Sequence, residues 1–228
     1  MSHAVPPDPL TRAKAAADGI RQELAGFTDH TVDPAYAPDR ELFGGYGHQE
    51  IWDRVHDALD PTALGQTADA WQANADTVAE AFQQFSDAAN REFARWSGHT
   101  ADAAVLATRE FVRAGAATHD VCRAVGRLME LNGDAAQTVR DAIAPPEQYR
   151  PLADPAAEAV YGGQRRMAHD SAAADREADV RDTMTYVYSP TMPASGDRVP
   201  RFPTPPAATG ATEPTPIRPS PDGRGAAQ

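Results

Sequence analysis

The sequence predicts an all-α protein, an elongated helical bundle built on a long antiparallel helical hairpin and followed by a disordered C-terminal tail. Two long runs, 62–95 and 100–143, place apolar residues at alternating spacings of three and four, as one face of a helix does. Between them only Trp96, Ser97 and Gly98 are available for a tight turn. From residue 187 onward proline is frequent and large apolar residues are scarce, so this segment buries too little surface to offset its ordering entropy.

The first helix is predicted over 9–27, where an aspartate precedes a proline at Asp8-Pro9. An N-cap acid followed by proline at the first helical position is a favourable helix start. The apolar stripe of this run consists of Leu10, Ala13, Ala17, Ile20, Leu24 and Phe27. Because an isolated helix of this length is only marginally stable, we expect it to pack on the hairpin.

Residues 28–47 contain two prolines and three glycines and are predicted to form a loop. A short amphipathic helix with Ile51, Trp52, Val55 and Leu59 follows and ends at Asp60-Pro61, which repeats the start signal.

The two arms of the hairpin carry the strongest patterns in the chain. The stripe of the first arm is Leu64, Ala68, Trp71, Ala75, Val78, Phe82, Phe85, Ala89, Phe93 and Trp96. The stripe of the second arm is Ala101, Ala104, Thr108, Phe111, Gly115, Thr118, Cys122, Val125, Met129, Asn132, Ala136, Val139 and Ile143. Small residues in its first half favour close approach of a neighbouring helix. Asn132-Gly133 is a position where this arm could bend or break.

After the hairpin, Pro145-Pro146 ends the second arm. A weaker helix is predicted over 155–185, where Asp154-Pro155 repeats the start signal, with an interruption at Gly162-Gly163. The chain therefore divides into a helical arm and loop over 1–45, a helical domain over 46–186 and a proline-rich tail over 187–228. The single cysteine, Cys122, excludes an intramolecular disulfide and is predicted to act as a small buried apolar residue.

The charge balance argues against nucleic acid as a partner. With 33 acidic and 21 basic residues the formal net charge is −12, whereas phosphate-backbone binding needs a basic face. No stretch approaches the roughly 18 apolar residues of a membrane span. The first ten residues lack a basic region followed by an apolar run, so no conventional signal peptide is predicted and export would need another route.

No arrangement of residues predicts catalysis, a metal or a cofactor. His48, Asp53 and His56, and likewise His119, Asp120 and Cys122, are close in sequence but lack the spacing of a metal site. The glycines around Tyr46 lack the lysine and hydroxyl residue of a phosphate loop. No nucleophile adjoins a base, so the sequence predicts a protein that is not an enzyme.

A long helix, Trp-x-Gly at a tight turn and a second long helix resemble the Trp-x-Gly (WXG) superfamily, the substrates of type VII (ESX) secretion systems. Here the motif is Trp96-Ser97-Gly98, and Trp71 lies 25 residues before Trp96. This spacing and the long alanine-rich second helix look most like the PPE branch, found in mycobacteria and related actinobacteria. The resemblance covers about residues 48–185.

The resemblance implies a non-enzymatic protein that leaves the cytoplasm through a type VII system and is then secreted or associated with the cell envelope. It also implies a small helical PE-like or WXG-type partner, recognition at the Trp-x-Gly turn, and a cytosolic chaperone at the opposite tip, roughly 144–154. The chain departs from the PPE pattern because Pro6-Pro7-Asp8 stands where Pro-Pro-Glu is expected and because a single helix precedes the PPE-like part. Either that helix fills part of the partner's groove, or the chain still needs a small helical partner.

Secretion signals of the family also include Tyr-x-x-x-Asp/Glu, which Tyr46 and Glu50 match. The alternative interpretation of this pair is an ordinary helix start. As a signal, the pair would lie beside Trp96 and Gly98 and form one composite surface with them. Trp96 itself is predicted to close the apolar seam at the end of the hairpin, and the same indole could also be read by a partner.

The residues Trp71, Val78, Phe82, Phe85 and Phe93 are predicted to form a packing face for the core or for a partner. The alternative function is an intracellular helical adaptor, in which the long stripes pair with another copy of the chain. The segment Arg201–Pro206 could dock into an aromatic groove, although a solvated tail explains it as well.

Overall fold

A computed structural model describes residues 8–27 and 31–204. Within these ranges the chain forms six α-helices, a 3-10 turn at Phe43–Gly45 and a π-helical turn at Met184–Tyr188. The helices are α1 (Pro9–Ala25), α2 (His48–Ala58), α3 (Pro61–Phe93), α4 (His99–Ala142), α5 (Pro155–Thr183) and α6 (Met192–Ser195). The predicted all-α bundle built on a helical hairpin is confirmed.

The three aspartate–proline pairs begin helices as predicted. The carboxylates of Asp8, Asp60 and Asp154 each accept a backbone N–H from the first turn that follows, at 2.9, 2.9 and 3.0 Å. These bonds satisfy donors that have no partner within the helix. The bounds of α1, α3 and α5 are therefore set by local chemistry.

Helices α3 and α4 lie side by side and run antiparallel. Going along α4 from its C-terminal part, Gly133 lies beside Pro61, Gly126 beside Ala68 and Gly115 beside Phe82. Small residues such as Ala68 and Ala75 are fully buried between the two helices and allow their close approach. With 44 residues, α4 is about 66 Å long, and it continues through Asn132-Gly133 without a break.

The first helix packs on the C-terminal half of α4, which confirms the expected contact with the hairpin. Ala13 and Ala17 share a core cluster with Val139 and Ile143, whereas Ile20 and Leu24 lie farther along α4. The second cluster is completed by Leu128, Leu131 and Ala135, three residues that the predicted α4 stripe does not contain. Helix α4 therefore buries two stripes in this half, one toward α3 and one toward α1. We call this end of the molecule the base and the α3–α4 turn the tip.

At the base, α2 is fixed to α4 by an arginine. The Arg140 guanidinium donates hydrogen bonds to the carbonyls of Val55, His56 and Leu59 at 3.3, 3.0 and 2.6 Å. These carbonyls lie at the end of α2, where the Val55 carbonyl also accepts the Leu59 backbone N–H at 3.2 Å. Because carbonyls at a helix C-terminus lack a full set of helical partners, a cation at this point is favourable. This contact sets the position of α2 beside the end of α4.

Helix α5 is continuous, so the predicted interruption at Gly162-Gly163 is wrong. Gly162 is buried, and a Cβ atom at this position would lie 2.4 Å from the Glu158 carboxylate. The same carboxylate accepts hydrogen bonds from the Tyr149 hydroxyl and the Leu152 backbone N–H, both at 2.8 Å. The glycine thus permits a close contact with the extended segment 144–154 and does not end the helix.

The boundary of the predicted tail is also wrong, because residues 187–204 pack on the bundle. Val187 and Thr191 are fully buried, and Pro200 forms an isolated antiparallel bridge with Val32. Met192, Ala194 and Val199 cover the cluster around Ile20 and Leu24. Few apolar residues suffice here, because they cover a core that other helices have already assembled. The remainder of the predicted tail, 205–228, lies outside the described residues.

Candidate functional site

The tip of the hairpin depends on a glycine. Gly98 is the N-cap of α4, and its φ of 92° with ψ of 179° is a conformation that L side chains rarely adopt. No atom lies within 4 Å of a Cβ built at this position. Glycine is therefore required by the backbone conformation and not by lack of space. Its carbonyl accepts the first N–H of the new helix, from Ala101 at 2.9 Å.

The indole of Trp96 is a surface group. It packs edge-on against Phe93, with ring centroids 5.4 Å apart, but 53% of the residue stays exposed. The prediction that Trp96 closes the apolar seam is therefore only half correct, because the ring covers Phe93 and leaves its other side to solvent. Ser97 is exposed beside it. An exposed tryptophan at a tight turn is a suitable group for recognition by another protein.

Tyr46 and Glu50 lie at the base, so the predicted composite surface with Trp96 is wrong. His48, between them, binds the carbonyl of Ala144 through Nε2 at 2.8 Å, just beyond the end of α4. Trp96 precedes the start of α4, and the two ends of that helix are about 66 Å apart. The sequence places both groups next to helix ends but does not say which ends meet.

At the base, the Tyr46 side chain belongs to a network of charged groups. Its hydroxyl donates a 2.5 Å hydrogen bond to the Glu41 carboxylate, which raises the pKa of Tyr46. The Arg54 guanidinium lies 4.6 Å from the centre of the Tyr46 ring and pairs with Glu50 at 2.9 Å. Arg54 therefore links the tyrosine and the glutamate of the motif. The backbone carbonyl of Tyr46 accepts a hydrogen bond from Arg181 at 2.9 Å.

The predicted packing face on α3 changes character along the helix. Trp71, Val78, Phe82 and Phe93 are half-buried, whereas Phe85 is 43% exposed. Phe111 of α4 is also 43% exposed and lies 5.2 Å from Phe82 and 5.3 Å from Phe85, measured between ring centroids. The three phenylalanines form an aromatic cluster that opens to one side of the hairpin.

Most neighbours of this cluster on the same side are uncharged. Glu92, seven residues after Phe85, is the charged exception. Residues three, four or seven positions away from Phe85 and Phe111 share their helix faces. We call this surface the distal apolar face, and it consists of Val78, Ala81, Phe85, Ala88, Ala107, Phe111, Ala114 and Thr118. All eight are uncharged in a chain in which 24% of residues are charged. Because they are exposed or half-buried, the surface has no covering helix among the described residues.

The distal apolar face continues the side of α4 that α1 covers at the base. Leu128 contacts α1, and Val121, Ala114 and Ala107 precede it at seven-residue spacing on the same side. Glu23, near the end of α1, is paired with Arg127. Beyond that point toward the tip, this side of α4 carries mainly alanine and phenylalanine. This continuity was not predicted from the sequence, although the leucines at 128 and 131 mark the second stripe.

The histidines named in the sequence analysis have separate structural contacts. His56 stacks on Trp52 with ring centroids 4.5 Å apart, and His119 contacts only the neighbouring Asp120. Cys122 is buried, as predicted, and burial raises the pKa of its thiol. Within residues 8–27 and 31–204 no three His, Cys, Asp or Glu side chains are grouped so that they could hold a metal ion. Over the same residues, no helix combines the length and the apolar character needed to cross a membrane.

Two further arginines, Arg54 and Arg140, organise the base. Only Arg54 could have been found from the sequence, because it lies four residues after Glu50.

Comparison of the chain with protein-family models, with curated proteins and with solved structures gave no match. The candidate functional surfaces of the molecule are therefore the hairpin tip, the distal apolar face and the base network.

Proposed function

We propose that the chain is a secreted or secretion-associated PPE-like protein of a type VII (ESX) secretion system, acting without catalysis through contacts between helices. The observation that carries this proposal is the hairpin tip, where Gly98 turns the chain and Trp96 remains 53% exposed. A tryptophan buried in the core would not be accessible to another protein. In this proposal the machinery reads Trp96, Ser97 and Gly98 at the tip.

The distal apolar face supports a helical partner. Its alanines allow a helix to approach closely, and its phenylalanines supply apolar surface for the contact. The part of α4 that carries the distal apolar face, from Ala107 to Thr118, is about 16 Å long, enough for contact with about three turns of a partner helix. A PE-like or WXG-type partner would lie there in line with α1, which already fills the same side of α4 at the base. In this proposal α1 fills the base half of this side of α4, and the small helical partner fills the half nearer the tip. The two alternatives from the sequence, a groove filled by the first helix and a chain that still needs a partner, would then both hold in part.

The opposite end of the molecule is our proposed contact for a chaperone. Segment 144–154 lies along the first half of α5, where Tyr149 contacts Glu158. On the same half of α5, Val160, Tyr161 and Met167 are 71%, 59% and 75% exposed. Apolar side chains at this degree of exposure are available to a cytosolic partner before export.

The experiment that tests the proposal compares export of two variants in an actinobacterial host with a type VII system. Trp96→Ala should remain in the cells, whereas Leu106→Ala, which removes an apolar side chain that is 60% exposed on α4, should reach the culture filtrate like the wild type. Equal melting temperatures of the purified proteins would establish that both variants fold. Export of Trp96→Ala at the wild-type level would refute recognition at the tip.

A second candidate is an intracellular adaptor that assembles with copies of itself. The distal apolar face favours it as well, because an uncharged surface allows two molecules of net charge −12 to approach without repulsion at the contact. The oligomeric state of the purified full chain, measured by light scattering, together with the export assay distinguishes the two candidate functions. A stable dimer that Phe111→Asp dissociates, combined with absence from culture filtrates, would favour the adaptor.

A further inference from the structure

The base contains a cleft between α2, the loop before it and the π-helical turn after α5. Its floor consists of Ile51 and Val55 from α2 together with Met184, which are only 3%, 2% and 6% exposed. The floor belongs to the main core cluster and is therefore held rigid by all the helices that meet there. The cleft is a preformed feature of the fold, and neither the tip nor the distal apolar face contributes to it.

The size of the cleft corresponds to one small ring. Its volume is about 120 Å³. An apolar protein cavity of about 150 Å³ binds benzene, so a single six-membered ring is near the upper limit here. Larger drug-sized ligands, which occupy clefts of roughly 300–1,000 Å³, would not be enclosed.

The mouth of the cleft carries polar groups of balanced charge. Glu41 and Arg54 lie 3.7 Å apart at its edge, so an ionised ligand would meet both signs of charge and gain little. Tyr188 also lines the cleft and is half-buried. Burial and the nearby Glu41 carboxylate raise the pKa of Tyr188, so this hydroxyl keeps its proton at neutral pH. The lining thus combines the acidic Glu41 and the protonated Tyr188 with an apolar floor.

We propose that this cleft is a binding site for a small, uncharged aromatic molecule with one hydroxyl group, a phenol, whose ring rests on Ile51, Val55 and Met184 and whose hydroxyl meets Glu41 and Tyr188. Few convergent polar groups over an apolar floor are the usual composition of a small-molecule site. Such a ligand would bind beside Tyr46 and Arg54 and hold the base network in its present arrangement. The inference does not depend on the proposed function in secretion.

Phenol is the probe for the test, with toluene and benzoate as comparison ligands and the full chain as the protein. Calorimetric titration or ligand-observed NMR should give saturable phenol binding, on the order of millimolar for a ligand of seven heavy atoms. Toluene lacks the hydroxyl and should bind more weakly. Benzoate should bind weakest, because its carboxylate loses hydration while it meets charges of both signs at Glu41 and Arg54. Amide signals of Ala58 and Leu59, which line the cleft, should shift with the same saturation curve.

The variant Ala58→Phe fills the cleft from its exposed edge and should weaken phenol binding by at least about tenfold, since the ring loses its apolar contacts. Ala73→Phe, which places the same side chain at an exposed position of α3 outside the cleft, should bind phenol like the wild type. Absence of saturable phenol binding, or wild-type binding by Ala58→Phe, would overturn the site. Benzoate binding as tight as phenol would overturn the ligand class. Amide shifts in the unmodified chain test the location even if Ala58→Phe fails to fold.

Discussion

Phe82 of α3 packs directly over Gly115 of α4, so closely that a Cβ atom at Gly115 would lie 2.3 Å from two atoms of the ring. No real Cβ contact is that short, and the ring would have to move. The half-buried Phe82 and the exposed Phe85 and Phe111 form one cluster, so a shift of Phe82 disturbs the whole centre of the hairpin. This contact fixes the register of the two arms at mid-length.

We therefore expect Gly115→Ala to lower the free energy of unfolding by about 1–2 kcal/mol, because overpacking exceeds the gain in helix propensity. Gly19→Ala is the matched control, since Gly19 lies in α1 with no atom within 4 Å of its Cβ position. It should raise the free energy of unfolding by about 0.5–1 kcal/mol. Urea unfolding followed by circular dichroism measures both changes, and a stabilising Gly115→Ala would contradict the close packing.

Arg140→Met should destabilise the base by about 2–3 kcal/mol, because three carbonyls at the end of α2 lose a charged donor. Arg123→Met replaces an exposed arginine of the same helix and should change the free energy of unfolding by less than about 0.5 kcal/mol. Hydrogen exchange should locate the loss from Arg140→Met in α2. Uniform loss of protection along α3 instead would argue against this local role.

Truncation of apolar side chains should cost more at the base than near the tip. Leu131 is 1% exposed, and Leu131→Ala should lower the free energy of unfolding by about 2–5 kcal/mol. Phe111 is 43% exposed, and Phe111→Ala should cost about 1–2 kcal/mol even though it removes a larger side chain. Denaturant titration of both variants gives the comparison, and an equal or larger loss for Phe111→Ala would mean that the distal half of the hairpin carries stability as well.

Acid should release segment 144–154 from α5. The hydrogen bond from the Leu152 backbone N–H, followed by the one from the Tyr149 hydroxyl, lowers the pKa of Glu158 below its ordinary value of 4.5. Because the folded-state pKa is the lower one, the stabilising effect is complete above about pH 4.5 and is lost as the pH falls through the folded-state pKa. The Leu152 amide proton should move upfield over that range in an NMR titration. Glu158→Gln should abolish the titration, and a persistent shift in this variant would assign it to another carboxylate.

Much of the fold could be predicted because its signals are local. An aspartate before proline specifies a helix start within four residues, and the positions of Ala68, Ala75, Cys122 and Ala136 specify buried faces. The packing of the segment after α5 could not be predicted in this way. Residues 187–204 are held by contacts across long sequence separations, such as Arg201 with Asp33, which leave no periodic pattern.

The candidate site was predicted only in part for the same reason. Trp96 and Gly98 form their turn from neighbouring residues, so the motif itself predicts it. Whether Tyr46 lies at the tip or at the base depends on where α2 packs. The position of α2 is fixed by its contact with Arg140, about 90 residues later in the chain. The cleft beside Tyr46 combines α2 with Met184 and Tyr188, so no single stretch of sequence indicates it.

The bridge between Val32 and Pro200 has a mechanical consequence. Together with the ion pairs of Arg201 with Asp33 and Arg40 with Asp197, it anchors the chain's later segment to its earlier loop across the base. A pulling force applied at residue 204 would act on this bridge and these two ion pairs before it acted on the contacts between α3 and α4. Segment 187–204 would then detach first and expose Ile20 and Leu24, while α3 and α4 stayed packed against each other.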